Sequence, residues 1–119
     1  MHTILLVADK QRVIDRVHTA LSLPDITVID HADPETSAST AYTDGVDAVI
    51  VDMQVGSMGA MAVTRAMRAM AGEAEEIPVT ILLDREADAF LAGRSGAANW
   101  VLKDAPASQL RAAVAPAIS

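Results

Sequence analysis

Three short apolar runs stand out from the polar background of the chain: Thr3-Ile4-Leu5-Leu6-Val7, Ala48-Val49-Ile50-Val51 and Val79-Thr80-Ile81-Leu82-Leu83. Each is β-branched or leucine-rich, lacks polar alternation and stops at a polar residue. A strand covered on one face alternates and a strand covered on both does not, so these runs predict buried strands of a parallel sheet. Ile26-Thr27-Val28-Ile29 and Trp100-Val101-Leu102 predict two weaker strands. Helical spacing fills the intervals. Lys10 to Ser22 sets Val13, Ile14, Val17 and Leu21 on one stripe, with Asp9 available as N-cap. Asp33-Pro34-Glu35 reads as an N-cap with proline at the first helical position, opening a helix to about Thr43. Ala60 to Ala71 carries Val63, Met67 and Met70 at helical spacing, and Gly72 closes it. Glu86 to Arg94 predicts a short helix and Pro106 to about Ala115 a last one, which Pro116 interrupts so that the final residues fray.

The order is β-α repeated five times with short loops. It predicts an α/β fold, a doubly wound five-stranded parallel sheet with helices on both faces and right-handed crossovers, over residues 1–119 as one domain. The 119 residues, 51% of them hydrophobic, suffice for one core and exclude a disordered chain. A net charge of −7 argues against a duplex-binding surface, which needs clustered Lys and Arg, so no direct nucleic-acid partner is expected. Without cysteine there is no disulfide scaffold, thiolate zinc site or thiol nucleophile, in keeping with a cytoplasmic setting. No apolar run approaches the roughly 20 residues of a membrane span, and no membrane partner is expected. Met1-His2-Thr3 carries no basic region, so Ile4 to Val7 does not read as a secretory signal.

In open parallel sheets, sites gather beyond the carboxyl ends of the strands. Asp9, Asp52, Asp84 and Lys103 follow the first, third, fourth and fifth strands. Three carboxylates on one rim raise each other's pKa unless a cation intervenes, and one lysine cannot balance them. A hard divalent ion such as Mg²⁺, held by one or two carboxylates and water, is the natural remedy. An aspartate beside Mg²⁺ and a lysine can act as a nucleophile toward phosphorus. Cofactor sites on such a sheet find no support: Ala8-Asp9-Lys10-Gln11-Arg12 is no phosphate-cradling loop, and the dinucleotide and Walker-type glycine motifs are absent.

The order of these elements resembles the receiver domain of two-component response regulators, a flavodoxin-like fold. Ile4-Leu5-Leu6-Val7-Ala8-Asp9 resembles the opening acidic motif. Asp47-Ala48-Val49-Ile50-Val51-Asp52 resembles the third strand with its phosphoacceptor. Met53-Gln54-Val55-Gly56-Ser57-Met58-Gly59-Ala60 keeps the length of the loop that follows. Ile77 to Leu82 is similar to the fourth strand, and Gly96-Ala97-Ala98-Asn99-Trp100-Val101-Leu102-Lys103 to the Gly-Ala turn, fifth strand and lysine. The resemblance implies that Asp52 accepts a phosphoryl group from a sensor histidine kinase or phosphotransfer protein and that Lys103 pairs with the phosphoryl oxygens. It also implies that Asp9, Asp52 and the backbone carbonyl of Gln54 hold Mg²⁺. The signal would leave through a downstream protein target or an output domain. A homodimer through the fourth helix, fifth strand and fifth helix is a further expectation, as the last helix is alanine-rich. Self-phosphorylation from a phosphodonor would be the only enzymatic act.

Departures from the receiver pattern open an alternative. Ala8 stands where a second acid is usual, Leu83 where a phosphoryl-binding hydroxyl is usual, and Asp84 where a small residue is usual. Asp104 replaces a proline after the lysine, which favours a trans bond there. Gly56 replaces another proline, and the fourth helix is short. The alternative reading is a degenerate receiver acting as a phosphorylation-independent protein-interaction module. Asp9 is open between metal ligand and helix cap, Asp84 reads as a cap for the helix after it, and Trp100 as packing. Met61, Met67 and Met70 read as core filler. Arg65, Arg68, Arg85 and Arg94 read as solvated faces, and His2, His18 and His31 show no partner carboxylate pattern and receive no role.

Overall fold

The computed structural model describes residues 1–56 and 58–118; Ser57, within the loop quoted above, and Ser119 lie outside the described residues. The five predicted strands form as β1 (His2–Val7), β2 (Ile26–His31), β3 (Ala48–Asp52), β4 (Val79–Leu83) and β5 (Asn99–Leu102). They make one sheet in the order β2-β1-β3-β4-β5, every pair parallel. The helices are α1 (Gln11–Ala20), α2 (Pro34–Asp44), α3 (Gly59–Ala71), α4 (Ala89–Arg94) and α5 (Ala107–Val114).

Alternation of side chains along each strand sorts the apolar residues into two layers. Ile4, Leu6, Ala48, Ile50, Leu82 and Val101 meet Val13 and Val17 of α1 and Leu110 and Val114 of α5. Leu5, Val7, Val49, Val51, Ile81 and Leu83 meet Ala38 and Ala41 of α2, Val63 and Met67 of α3 and Ala92 of α4. Both layers are buried, which is why β1, β3 and β4 read as unbroken apolar runs. β2 is an edge strand, and its burial alternates with Ile29 exposed. At the other edge Thr80 Oγ1 donates to Asn99 Oδ1 at 2.6 Å and Asn99 Nδ2 to the Ala113 carbonyl at 2.8 Å, so polar atoms tie β4, β5 and α5 together.

Local signals held unevenly. Asp33 caps α2, accepting from the Glu35 N–H at 3.0 Å. Asp9 does not cap α1: Lys10 occupies that position and makes no capping bond with its side chain, while the Asp9 carboxylate is engaged elsewhere. The stretch from Glu86 divides into a 3₁₀ turn, Glu86–Asp88, and the short α4. Met70 is exposed on α3, one residue past the width of the stripe that Met67 anchors, and is not core filler. Pro116 does end α5, but the chain continues as a 3₁₀ turn, Ala115–Ile118, whose Ala117 and Ile118 pack on the α1/α5 layer.

Leu6 has no exposed surface and sits in mid-sheet. Leu6→Ala is expected to cost about 2–5 kcal/mol, read as a lower urea midpoint with unchanged slope. Ile29→Ala, on the exposed edge, should stay within about 0.5 kcal/mol of the parent.

Candidate functional site

Parallel strands in register deliver their carboxyl ends to a common rim. Val7 pairs with Val51, Asp52 with Leu82 and Leu83 with Leu102. The ladder continues past the strands, with the Met53 N–H donating to the Leu82 carbonyl and the Lys103 N–H to that of Leu83, each at 2.9 Å. Residues 52, 84 and 103 are therefore neighbours although remote along the chain.

Asp52 continues the buried row of Ala48 and Ile50 and has no exposed surface. A carboxylate so buried needs partners. Its Oδ1 lies 2.6 Å from Lys103 Nζ and accepts the Gln54 N–H at 3.0 Å. Its Oδ2 is equally buried and has no hydrogen-bond partner among the described residues. Lys103 Nζ also donates to Asp84 Oδ1 at 2.8 Å. One ammonium thus spans two carboxylates, in short charge-assisted contacts. Burial works to lower the Lys103 pKa, but the hydrogen bonds to Asp52 and Asp84 and the attraction of their charges outweigh it and raise the pKa above its ordinary value.

Asp9 stands on the facing loop. Its Oδ2 accepts the Gly56 N–H at 3.0 Å, across 47 residues of sequence. Gly56 has φ +51, and a Cβ there would lie 3.1 Å from Pro34 Cγ. A proline can neither adopt that φ nor donate that bond, so the glycine that departs from the receiver pattern is the residue that holds Asp9. Lys10 Nζ donates to the Gln54 carbonyl at 3.2 Å and lies 3.7 Å from Asp9 Oδ1.

Receiver domains generally bind Mg²⁺ at an acidic pocket. Here the Gln54 carbonyl and one Asp9 oxygen face the Lys10 ammonium, the other Asp9 oxygen is held by Gly56, and Ala8 offers no donor. Among the described residues no three His, Asp or Glu side chains gather in a metal-holding group. As arranged, the residues do not fit Mg²⁺, although Asp52 Oδ2 has no hydrogen-bond partner among the described residues.

The remaining assignments divide. Asp84 is not a helix cap: Arg85 occupies that position, and the Asp84 carboxylate turns to Lys103. Leu83 is fully buried in the α2/α3 layer. The Lys103–Asp104 bond is trans. Trp100 packs at the rim with 37% of its surface exposed, and Phe90 and Leu91 of α4 are exposed as well. Arg68 is exposed, as a solvated face would have it, and its guanidinium lies over Gly96 and 3.6 Å from Glu76. Arg85 pairs with Asp88 at 3.2 Å, and Arg94 sits 5.7 Å from the Phe90 ring centre. Two histidines do have carboxylate partners, His18 with Asp30 at 2.6 Å and His2 with Asp47 at 3.9 Å. Sequence reasoning missed Lys10, though it adjoins Asp9, and the register that pairs Leu83 with Leu102 is the signal that would have joined Asp84 to Lys103.

Removing Lys103 leaves Asp52 buried without its counter-charge. Lys103→Met is expected to cost about 3–5 kcal/mol in urea unfolding, and the Asp52→Asn/Lys103→Met pair less than the sum of the single changes. A raised lysine pKa adds stability that is complete below the free value of 10.5 and is lost as pH rises through the folded value. The stability gap between parent and Lys103→Met should therefore hold from neutral pH to about 10.5 and narrow above it.

No sequence-family model matches the chain, and no curated protein matches it. Solved structures do. The response regulator ChrA of a haem-sensing two-component system is 34% identical, with a TM-score of 0.76 over 97% of this chain and 55% of its own; the chain thus spans about half of that protein's length. The N-terminal signal receiver domain of a two-component response regulator from Bacteroides fragilis is 25% identical, with a TM-score of 0.82 over 100% of this chain and 98% of its own. A response regulator receiver domain protein from Clostridium thermocellum is 22% identical, with a TM-score of 0.81 over 99% and 94%. Receiver domains are in general non-enzymatic signalling modules. Over essentially its whole length, and with modest identity to each, the chain has the fold of response regulator receiver domains and is similar to them as a divergent sequence.

Proposed function

We propose that the chain is a phosphorelay receiver in which Asp52 accepts a phosphoryl group and the change is relayed by protein contact. The observation that carries this reading is the division of labour on one carboxylate. Oδ1 is anchored by Lys103 and the Gln54 N–H, while Oδ2 has no partner among the described residues and is the oxygen left to attack phosphorus. Attack forms a carboxyl–phosphate bond and breaks the bond from phosphorus to the donor, a histidine of a sensor kinase or phosphotransfer protein. Lys103, kept protonated by two carboxylates, is placed to offset charge on the transferred oxygens. Asp84 competes for the same ammonium. No step of this reading runs through a metal. The relay surface is the face of α4 and β5, where Phe90, Leu91 and Trp100 are exposed, and its occupant is a downstream target, an output domain or a second copy.

A second reading, a module whose contacts do not depend on phosphate, is favoured by two observations. Asp52 has no exposed surface, and Asp84 already supplies the anion opposite Lys103.

Incubation with acetyl phosphate, with and without Mg²⁺, followed by intact mass separates the two. The first reading predicts a gain of one phosphoryl group that Asp52→Asn abolishes. An unchanged mass under conditions that modify an ordinary receiver favours the second, and a gain surviving Asp52→Asn moves the acceptor elsewhere. Asp84→Asn, which releases Lys103 from its competitor, is expected to raise the initial rate of modification by up to about tenfold.

A further inference from the structure

Lys10 lies in the loop between β1 and α1, immediately after Asp9. Its ammonium donates to the Gln54 carbonyl, 44 residues away, at 3.2 Å and stands 3.7 Å from Asp9 Oδ1. The second Asp9 oxygen takes the Gly56 N–H at 3.0 Å. Two contacts, Lys10 to the Gln54 carbonyl and the Gly56 N–H to Asp9, therefore stitch the β1–α1 loop to the loop between β3 and α3, and the cation beside them belongs to the chain. The oxygens that a divalent ion would need from these two loops are the ones that face it.

We propose that Lys10 is the resident cation of this rim, holding Asp9 and the Gln54 carbonyl together in the place of a divalent ion, so that the chain keeps the two loops joined without metal and binds Mg²⁺ weakly. An ammonium suits the position. It is a compact charge on a flexible stem, able to reach a carbonyl on one loop while its backbone stays on the other. An incoming Mg²⁺ must displace it or bear repulsion from a like charge a few ångströms away, a penalty for a doubly charged ion at about 4 Å of roughly thirtyfold in affinity in water-like surroundings and more in a drier site. The inference concerns binding and does not depend on whether Asp52 takes a phosphoryl group.

The test is a Mg²⁺ titration of the whole chain, followed at the amide signals of Gln54 and Gly56 by NMR and by the shift in thermal midpoint that a native-state ligand produces. Wild type and Lys10→Arg, which keep the charge, should show no saturable change at millimolar Mg²⁺. Lys10→Gln should show saturable shifts at those amides, with affinity tighter by about tenfold or more, and Asp9→Asn in the Lys10→Gln background should abolish them. Equal affinity in wild type and Lys10→Gln, no binding by Lys10→Gln, or a gain that survives Asp9→Asn would each overturn the proposal.

Discussion

A carboxyl group with no exposed surface sits at the tip of the central strand β3, and the rim around it supplies an ammonium partner. Burying an unpaired charge costs far more than a domain of this size can bear. Lys103 answers Asp52 from β5, two strands away, and can do so because parallel pairing sets Asp52 beside Leu82 and Leu83 beside Leu102. The register of three strands thus decides the electrostatics of the site. A one-residue slip of β5 would turn the lysine to the other face and leave the buried carboxylate without its counter-charge.

Three departures from the ordinary receiver pattern, Gly56, Asp84 and Leu83, are each accommodated within the chain. Gly56 gives Asp9 an N–H that a proline lacks. Asp84, in a position usually small, gives Lys103 a second anion. Lys10 gives Asp9 and the Gln54 carbonyl a cation. Leu83 brings no donor and is absorbed into the apolar layer. Substitutions that each look like the loss of a part combine into a rim whose charges are largely answered from inside, while buried Asp52 Oδ2 has no partner among the described residues.

The fold was legible because it rests on patterns that physics makes local. Unbroken runs such as Ala48 to Val51 mean burial on both faces, and Asp33-Pro34 announces a helix start that the structure repeats. The gathering of Asp52 and Lys103 was legible too, since parallel strands bring their ends together. The finer contacts were not. Whether Asp9 caps its own helix or reaches Gly56 is decided by a glycine 47 residues away in an αL conformation, and nothing local to Asp9 reports it. Asp84 looked like a cap because caps and ion-pair partners draw on the same residue type, and only the β4–β5 register separates them. The pairing of His18 with Asp30 likewise spans a helix and the edge strand, beyond the reach of sequence periodicity.

The shared ammonium is observed most directly through its own protons. Lys103 NH₃⁺ detected by ¹⁵N NMR at neutral pH should exchange slowly with water and show through-bond coupling to the carboxylate carbons of Asp52 and Asp84. A Lys103 signal that exchanges as fast as a free lysine, with coupling to neither carboxylate, would contradict the account.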